Sequence, residues 1–179
     1  YTAVSLQGSL QSFRYWQEVT HFTHYTIAHS HLGVYAFATM IAFGSIYYIM
    51  PRVTNWEWSS ARLISIHFWT TGLGIGAYFT ALTIGGVIQG LQLLDPDVAF
   101  LTVVENTKPW LVVRSVSGTL MTIGHFVFAY LLARILLKSG SRPEGPTYFH
   151  PVPEGTFQAA TGNGATGGPE SAPAQSSSE

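Results

Sequence analysis

Between Leu63 and Leu94 the chain runs without one charged side chain, and that stretch limits its possible surroundings more than any other feature. A helix needs roughly 20 apolar residues to cross a bilayer. This stretch exceeds that, so it is expected to tilt or to continue beyond the lipid. Two more stretches qualify: Leu32 to Met50, "LGVYAFATMIAFGSIYYIM", read as stopping at Pro51, and about Trp110 to Ala133, interrupted by Arg114 near its start. Backbone in lipid must satisfy its own hydrogen bonds, and nothing here alternates like a barrel strand. The expected fold class is therefore all-α, a polytopic membrane helical bundle. Transmembrane helices are expected over residues 1–138, with spans at about 1–17 (partial), 22–50, 61–94 and 109–138. Residues 139–179, rich in Gly, Pro, Ser and Ala, read as a disordered tail.

Composition agrees. Only 9% of the 179 residues are charged and the net charge is −1, against about 25% charged residues in an ordinary soluble domain. Neither sign of charge dominates, so nucleic acid is not an expected partner. The absence of Cys excludes disulfide frameworks, thiolate metal sites and thiol nucleophiles. The chain starts at Tyr1 with no Met, basic n-region or cleavage pattern, and reads as a piece whose amino-terminal portion is missing.

Charge placement suggests an orientation. Arg52 and Arg62 follow the first span, and Arg134, Lys138 and Arg142 follow the third, whereas Asp95, Asp97 and Glu105 oppose only Lys108 between the second and third. By the positive-inside tendency the tail faces the cytoplasm, and the 95–109 connection faces outward with the end that enters the first span. Trp56 and Trp58 suit the inner interface and Trp110 the outer one.

That entry reads "THFTHYTIAHSH", residues 20–31, with four histidines in twelve positions. Ionisable residues at membrane depth point to function by default. At about 100° per residue, His29 and His31 project about 200° apart on one helix. Zinc-type helical pairs use i and i+4 on one face, so these two imidazoles suit two centres on opposite sides better than one chelated ion. Neutral imidazole is a common axial ligand of haem iron. The alternative is a group of interfacial histidines bonded to neighbours or headgroups.

"H-F-T-H-Y-T-I-A-H-S-H" resembles the H-x-T-x(4)-[AG]-H-x-H signature of haem–copper oxidase subunit I. "IYYIMPR" (46–52), "HFW" (67–69), "GGVIQGL" (85–91) and "VVRSVSG" (112–118) resemble strings of its C-type branch. That branch comprises the cbb3-type cytochrome c oxidases, to which the nitric oxide reductases are related. The resemblance covers about Gln7 to Lys138 and implies the carboxy-terminal part of such a subunit. By resemblance, His29 is the proximal ligand of a high-spin, b3-like haem and His31 an axial ligand of a low-spin haem b. His21 and Arg114 then meet haem propionates, for which a guanidinium fork is well suited. The implied activity is reduction of oxygen to water with electrons from cytochrome c, coupled to proton translocation in a bacterial cytoplasmic membrane. Membrane c-type cytochrome subunits and a soluble cytochrome c or other donor would be the partners. Nitric oxide reduction to N2O is the alternative within the family, and a non-catalytic haem b anchor the alternative outside it.

Some residues depart from the family pattern. Gln7 stands where a Glu is expected, and an amide cannot titrate. His24 stands where Asp is frequent and has no assigned role; seven residues before His31, on nearly the same face, it suits either a hydrogen bond on that side or an ordinary surface position. His67 reads as structural, His125 as a buried bond to a neighbouring helix, and His150 as incidental. The three-histidine copper site of the oxidases, or the iron site with glutamates of the reductases, has no counterpart in the sequence. Copper or non-haem iron ligands are therefore expected outside this chain, and the piece is not expected to catalyse alone.

Overall fold

A computed structural model of the chain describes residues 1–139, so the tail from 140 onward, with Arg142 and His150, lies outside the described residues. Among the described residues every regular element is helical. Two short helices, α1 (Thr2–Gln11) and α2 (Arg14–Thr20), lead into a continuous helical rod. The rod comprises α3 (His24–His31), a π-helical stretch (Leu32–Thr39) and α4 (Met40–Thr54). Then come α5 (Ala61–Leu94) and α6 (Phe100–Leu136). The rod, α5 and α6 are the three helices long and apolar enough to cross a membrane. At 1.5 Å per residue α5 is about 50 Å long, well beyond the roughly 30 Å hydrocarbon core.

Two ends differ from what the sequence suggests, each for a local reason. The rod does not stop at Pro51 but runs to Thr54, where Asn55 takes the left-handed conformation (φ 54°, ψ 35°) that ends many helices. Proline removes the N–H that the carbonyl four residues earlier would accept. Here that carbonyl belongs to Tyr47, and the Trp58 indole Nε1 donates to it at 2.9 Å. A side chain from the following loop thus replaces the lost backbone donor. At the other membrane face α6 begins at Phe100, so Glu105, Lys108 and Pro109 are helical and the connection shrinks to residues 95–99.

The Trp58 bond yields a first prediction. Trp58→Phe keeps an apolar ring but leaves the Tyr47 carbonyl without this donor, and should cost about 1–3 kcal/mol. Thermal unfolding of the detergent-solubilised full-length protein would register it.

The α5 and α6 helices form the most extensive pair, and α3 packs along α5 from the other side. Two apolar clusters bracket the bundle. One joins Ala28, Ile75, Tyr78, Leu82 and Met121; the other joins Trp58, Ile64, Leu131 and Ile135. Between them lies a layer of half-buried rings around the buried His67 of α5: Phe43 and Tyr47 from the rod, His125 and Phe128 from α6.

Candidate functional site

The histidine helix starts at a tight turn. Phe22 has φ 60°, an unusual conformation for an aromatic residue. Thr23, buried, caps α3 by accepting from the Tyr25 N–H at 3.3 Å, and its own hydroxyl donates to the Thr20 carbonyl at 2.8 Å. The H-x-T spacing therefore places a capping hydroxyl two residues after His21. Gln89 of α5 fastens the same turn. Its Oε1 accepts from the His24 backbone N–H at 3.0 Å and from His24 Nδ1 at 2.6 Å. His24 is thus tied to α5 at the start of the helix, and its ring bond goes to Gln89 rather than toward His31.

The Gly-rich string around Gln89 sets how close the helices come. A Cβ on Gly86 would overlap the Tyr25 backbone N, and one on Gly90 would overlap the Val19 carbonyl. Neither position has room for any side chain. The backbone of the histidine segment lies directly on α5 there.

His29 and His31 diverge from this seat. His29 turns toward α1, where its Nδ1 donates to Gln7 Oε1 at 3.2 Å. An amide oxygen only accepts, so the ring proton sits on Nδ1 and the Nε2 lone pair is available. Gln7, 6% exposed, is held in turn by its Nε2 donating to Thr83 Oγ1 at 3.4 Å. Gly8 leaves open the space beside the ring, because a Cβ there would stand 3.3 Å from His29 Cε1.

His31 turns toward α5. Its Nδ1 donates to the Ile27 carbonyl at 2.8 Å, and its Nε2 accepts from the Tyr78 hydroxyl at 3.3 Å. Arg114 is exposed on α6.

Haem iron takes neutral imidazole through one nitrogen, with the other ring nitrogen fixed by a hydrogen-bond acceptor. Both histidines meet that requirement through Nδ1, on opposite sides of one helix. The Nδ1 bonding of both histidines suits axial ligation; His29 Nε2 is open for it, whereas His31 Nε2 would have to exchange the Tyr78 hydroxyl for iron.

His21 lies elsewhere. It is exposed beside a polar recess at the α1–α2 corner, where Gln17 Nε2 donates to its Nδ1 at 2.8 Å. Among the described residues no group of three or more His, Cys, Asp or Glu could hold a metal ion.

His67 and His125 belong to the middle layer. His67 is 1% exposed and pairs through Nδ1 with the Tyr47 hydroxyl at 2.8 Å. His125 bonds across helices as its mid-span position suggests. Its Nδ1 donates to the Met121 carbonyl at 2.6 Å, and Nε2 accepts from the Tyr35 hydroxyl at 3.1 Å. Sequence reasoning missed all three phenol partners, Tyr35, Tyr47 and Tyr78. Their separations from the histidines run from 20 to 90 residues, too far for any local pattern to reveal.

Fold and site together define a polytopic helical membrane protein that presents two imidazoles back to back near the start of one spanning helix. Residues 2–120 match the family described as Cytochrome C and Quinol oxidase polypeptide I, and the chain belongs to that family. It is 33% identical over 141 residues to cytochrome c oxidase subunit 1 of Rhodobacter capsulatus, covering 74% of this chain and 26% of that protein. It is 30% identical over 143 residues to the bacteroid cytochrome c oxidase subunit 1 homolog of Bradyrhizobium diazoefficiens, covering 74% and 25%. The cbb3-type cytochrome c oxidase subunit CcoN1 of Stutzerimonas stutzeri is 28% identical over 137 residues, covering 73% and 29%. The chain thus spans about a quarter of the length of the curated relatives it matches.

Proposed function

We propose that this chain is part of the catalytic subunit of a cbb3-type terminal oxidase, which reduces oxygen to water in a bacterial cytoplasmic membrane. Electrons would come from cytochrome c through membrane c-type cytochrome subunits, and the tail would face the cytoplasm. One observation carries the reading: His29 and His31 each commit Nδ1 to an acceptor, His29 beside α1 with Nε2 open and His31 beside α5 with Nε2 met by the Tyr78 hydroxyl, which an iron would displace. In this reading His29 holds the high-spin haem and His31 the low-spin haem, which supply the oxygen-binding and electron-carrying iron. Copper would be bound by residues outside this chain.

The chain's own residues do four things. Gln7 holds the His29 ring and its tautomer. Ile27 does the same for His31 through its carbonyl. The seats of α2 on Gly90 and of α3 on Gly86 fix the height of both imidazoles along the bundle. Arg114 places a guanidinium where propionate carboxylates would be neutralised, and His21 would do so at the outer corner.

Reduced-minus-oxidised and CO-difference spectra of the full-length protein test the reading, and a preparation without CO-reactive haem would end it. Nitric oxide reductase is the second reading, favoured by Gln7, since an amide cannot serve the proton handling expected of a glutamate there. Oxygen and nitric oxide turnover on one sample separate the two.

Gln7 also yields a prediction. Removing a residue that orients a metal-binding histidine typically costs 10–100-fold in metal affinity or activity. Gln7→Leu should weaken high-spin haem retention by roughly that factor. Gln7→Glu should instead strengthen the acceptor at Nδ1, make the imidazole more basic and lower the haem midpoint potential. Spectroelectrochemical titration reads both.

A further inference from the structure

Cations gather at the Trp58 end of the bundle, from all three spanning helices. Arg52 lies near the end of the rod, Arg62 at the start of α5, and Arg134 and Lys138 at the end of α6. Among the described residues the one acidic side chain at this end is Glu57, which is buried at 8% exposure. Arg52 donates to the Tyr48 carbonyl at 2.6 Å and lies over the Tyr48 ring, and Arg134 donates to the Tyr130 hydroxyl at 2.9 Å. Arg62 differs from both. It is exposed and, among the described residues, makes no hydrogen bond or ion pair.

Ser65 follows three residues later, on the same face of α5. Neighbouring hydroxyls bond back to the carbonyl four residues earlier, as Ser45 does to Ile41 and Thr70 to Ile66. The exposed Ser65 hydroxyl has no partner among the described residues.

Ser65 also lines a groove of about 440 Å³ between α4 and α5, with Phe43, Gly44 and Tyr47 on the rod and Ile64 and Phe68 on α5. The Tyr47 hydroxyl is committed to His67, so the walls are otherwise apolar. Gly44 keeps the groove wide, because a Cβ there would meet nothing within 4 Å. Arg62 stands about 4.5 Å along the helix from Ser65, toward the membrane face.

We propose that this groove holds an acyl chain of an anionic phospholipid whose phosphate is bound by Arg62 and Ser65. Inside a bilayer an acyl chain gains no hydrophobic free energy by entering a protein groove, since lipid tails are as apolar as leucine. The walls therefore supply shape alone, and the headgroup decides which lipid stays. A guanidinium forks onto phosphate oxygens with two parallel hydrogen bonds, and the Ser65 hydroxyl adds a third donor. A zwitterionic lipid would bring its own cation to an end that already carries four. Basic pockets between membrane helices on the cytoplasmic side suit anionic headgroups, and this end is the cytoplasmic one in the reading above. The site itself does not depend on the haem assignment.

The test uses the full-length protein in phosphatidylcholine nanodiscs containing a small fraction of phosphatidylglycerol with a photoactivatable acyl chain. A phosphatidylcholine probe with the same chain is the comparison, and peptide mass spectrometry locates the cross-links. The phosphatidylglycerol probe should label residues 40–47 and 64–68 several-fold more than the phosphatidylcholine probe does. Arg62→Gln should lower that labelling about fivefold, the factor that one basic residue contributes at an anionic surface. Arg62→Lys should recover part of it. Gly44→Leu, which fills the groove and leaves Arg62 in place, should also remove the labelling. Thermal midpoints confirm that each variant is folded, and if Gly44→Leu is not, the exposed Arg62→Gln decides. Equal labelling by the two probes, or undiminished labelling in Arg62→Gln, overturns the headgroup recognition. Absence of labelling by either probe, as when another segment of the full-length protein covers the groove, overturns the site.

Discussion

In the full-length protein, His29→Ala is expected to remove the CO-reactive haem signal and bring oxygen consumption to background, while low-spin haem absorption persists. His31→Ala is expected to do the converse, losing the low-spin bands and keeping CO binding at least in part. The separation follows from geometry. The two rings leave α3 on different sides, His29 toward Gln7 and Gly8 on α1, His31 toward Tyr78 on α5. Removing one therefore leaves the other's contacts intact. An axial imidazole is the protein's own bond to the iron, so its loss cannot be offset by neighbouring packing. If either substitution removed both haems together, or neither, the assignment of one iron to each histidine would be wrong. Optical and CO-difference spectra of the two variants, purified alongside the parent, are sufficient.

The second large effect concerns no polar group. Gly90→Ala should destabilise the bundle by about 3 kcal/mol, the upper end of what added core volume usually costs, and Gly86→Ala by a similar amount. At both positions the new methyl would occupy the place of backbone atoms, the Val19 carbonyl and the Tyr25 nitrogen. A side chain can rotate away from an added methyl, but a backbone carbonyl moves only with its helix. Accommodating either methyl requires lifting α2 or the start of α3 from α5. Because α3 carries His29 and His31, reduced haem retention should accompany the lower thermal midpoint. Gly76→Ala serves as the control, since a Cβ there meets nothing within 4 Å. It should lie within about 0.5 kcal/mol of the parent. Equal effects at positions 76 and 90 would mean that helical glycine itself, and not close approach, sets the cost.

These outcomes also separate what was legible in the residues from what was not. Charge-free runs such as Leu63 to Leu94 make a spanning helix the only solution available, because lipid offers no partner for an open backbone. The angle between His29 and His31 follows from the helical repeat alone. Helix ends were less legible. The rod passes Pro51 because Trp58, seven residues later, supplies the donor that proline lacks, and no rule about proline by itself foresees that. "GGVIQGL" was recognisable only as a familiar string. Its physical content is two backbone contacts and the Gln89 bond to His24, all made by residues more than sixty positions away.

By itself, then, the sequence determined that the chain is helical, that it crosses a membrane, and that its histidine segment presents two imidazoles on opposite sides. Hydrophobic periodicity and helix geometry act over neighbouring residues, and neighbouring residues are all they need. Only the tertiary structure decided what each imidazole meets: Gln7 for His29, Tyr78 for His31, Gln89 for His24, Tyr47 for His67 and Tyr35 for His125. Those pairings depend on the heights at which separate helices pass each other. Those heights are set by where glycine lets one backbone rest on another.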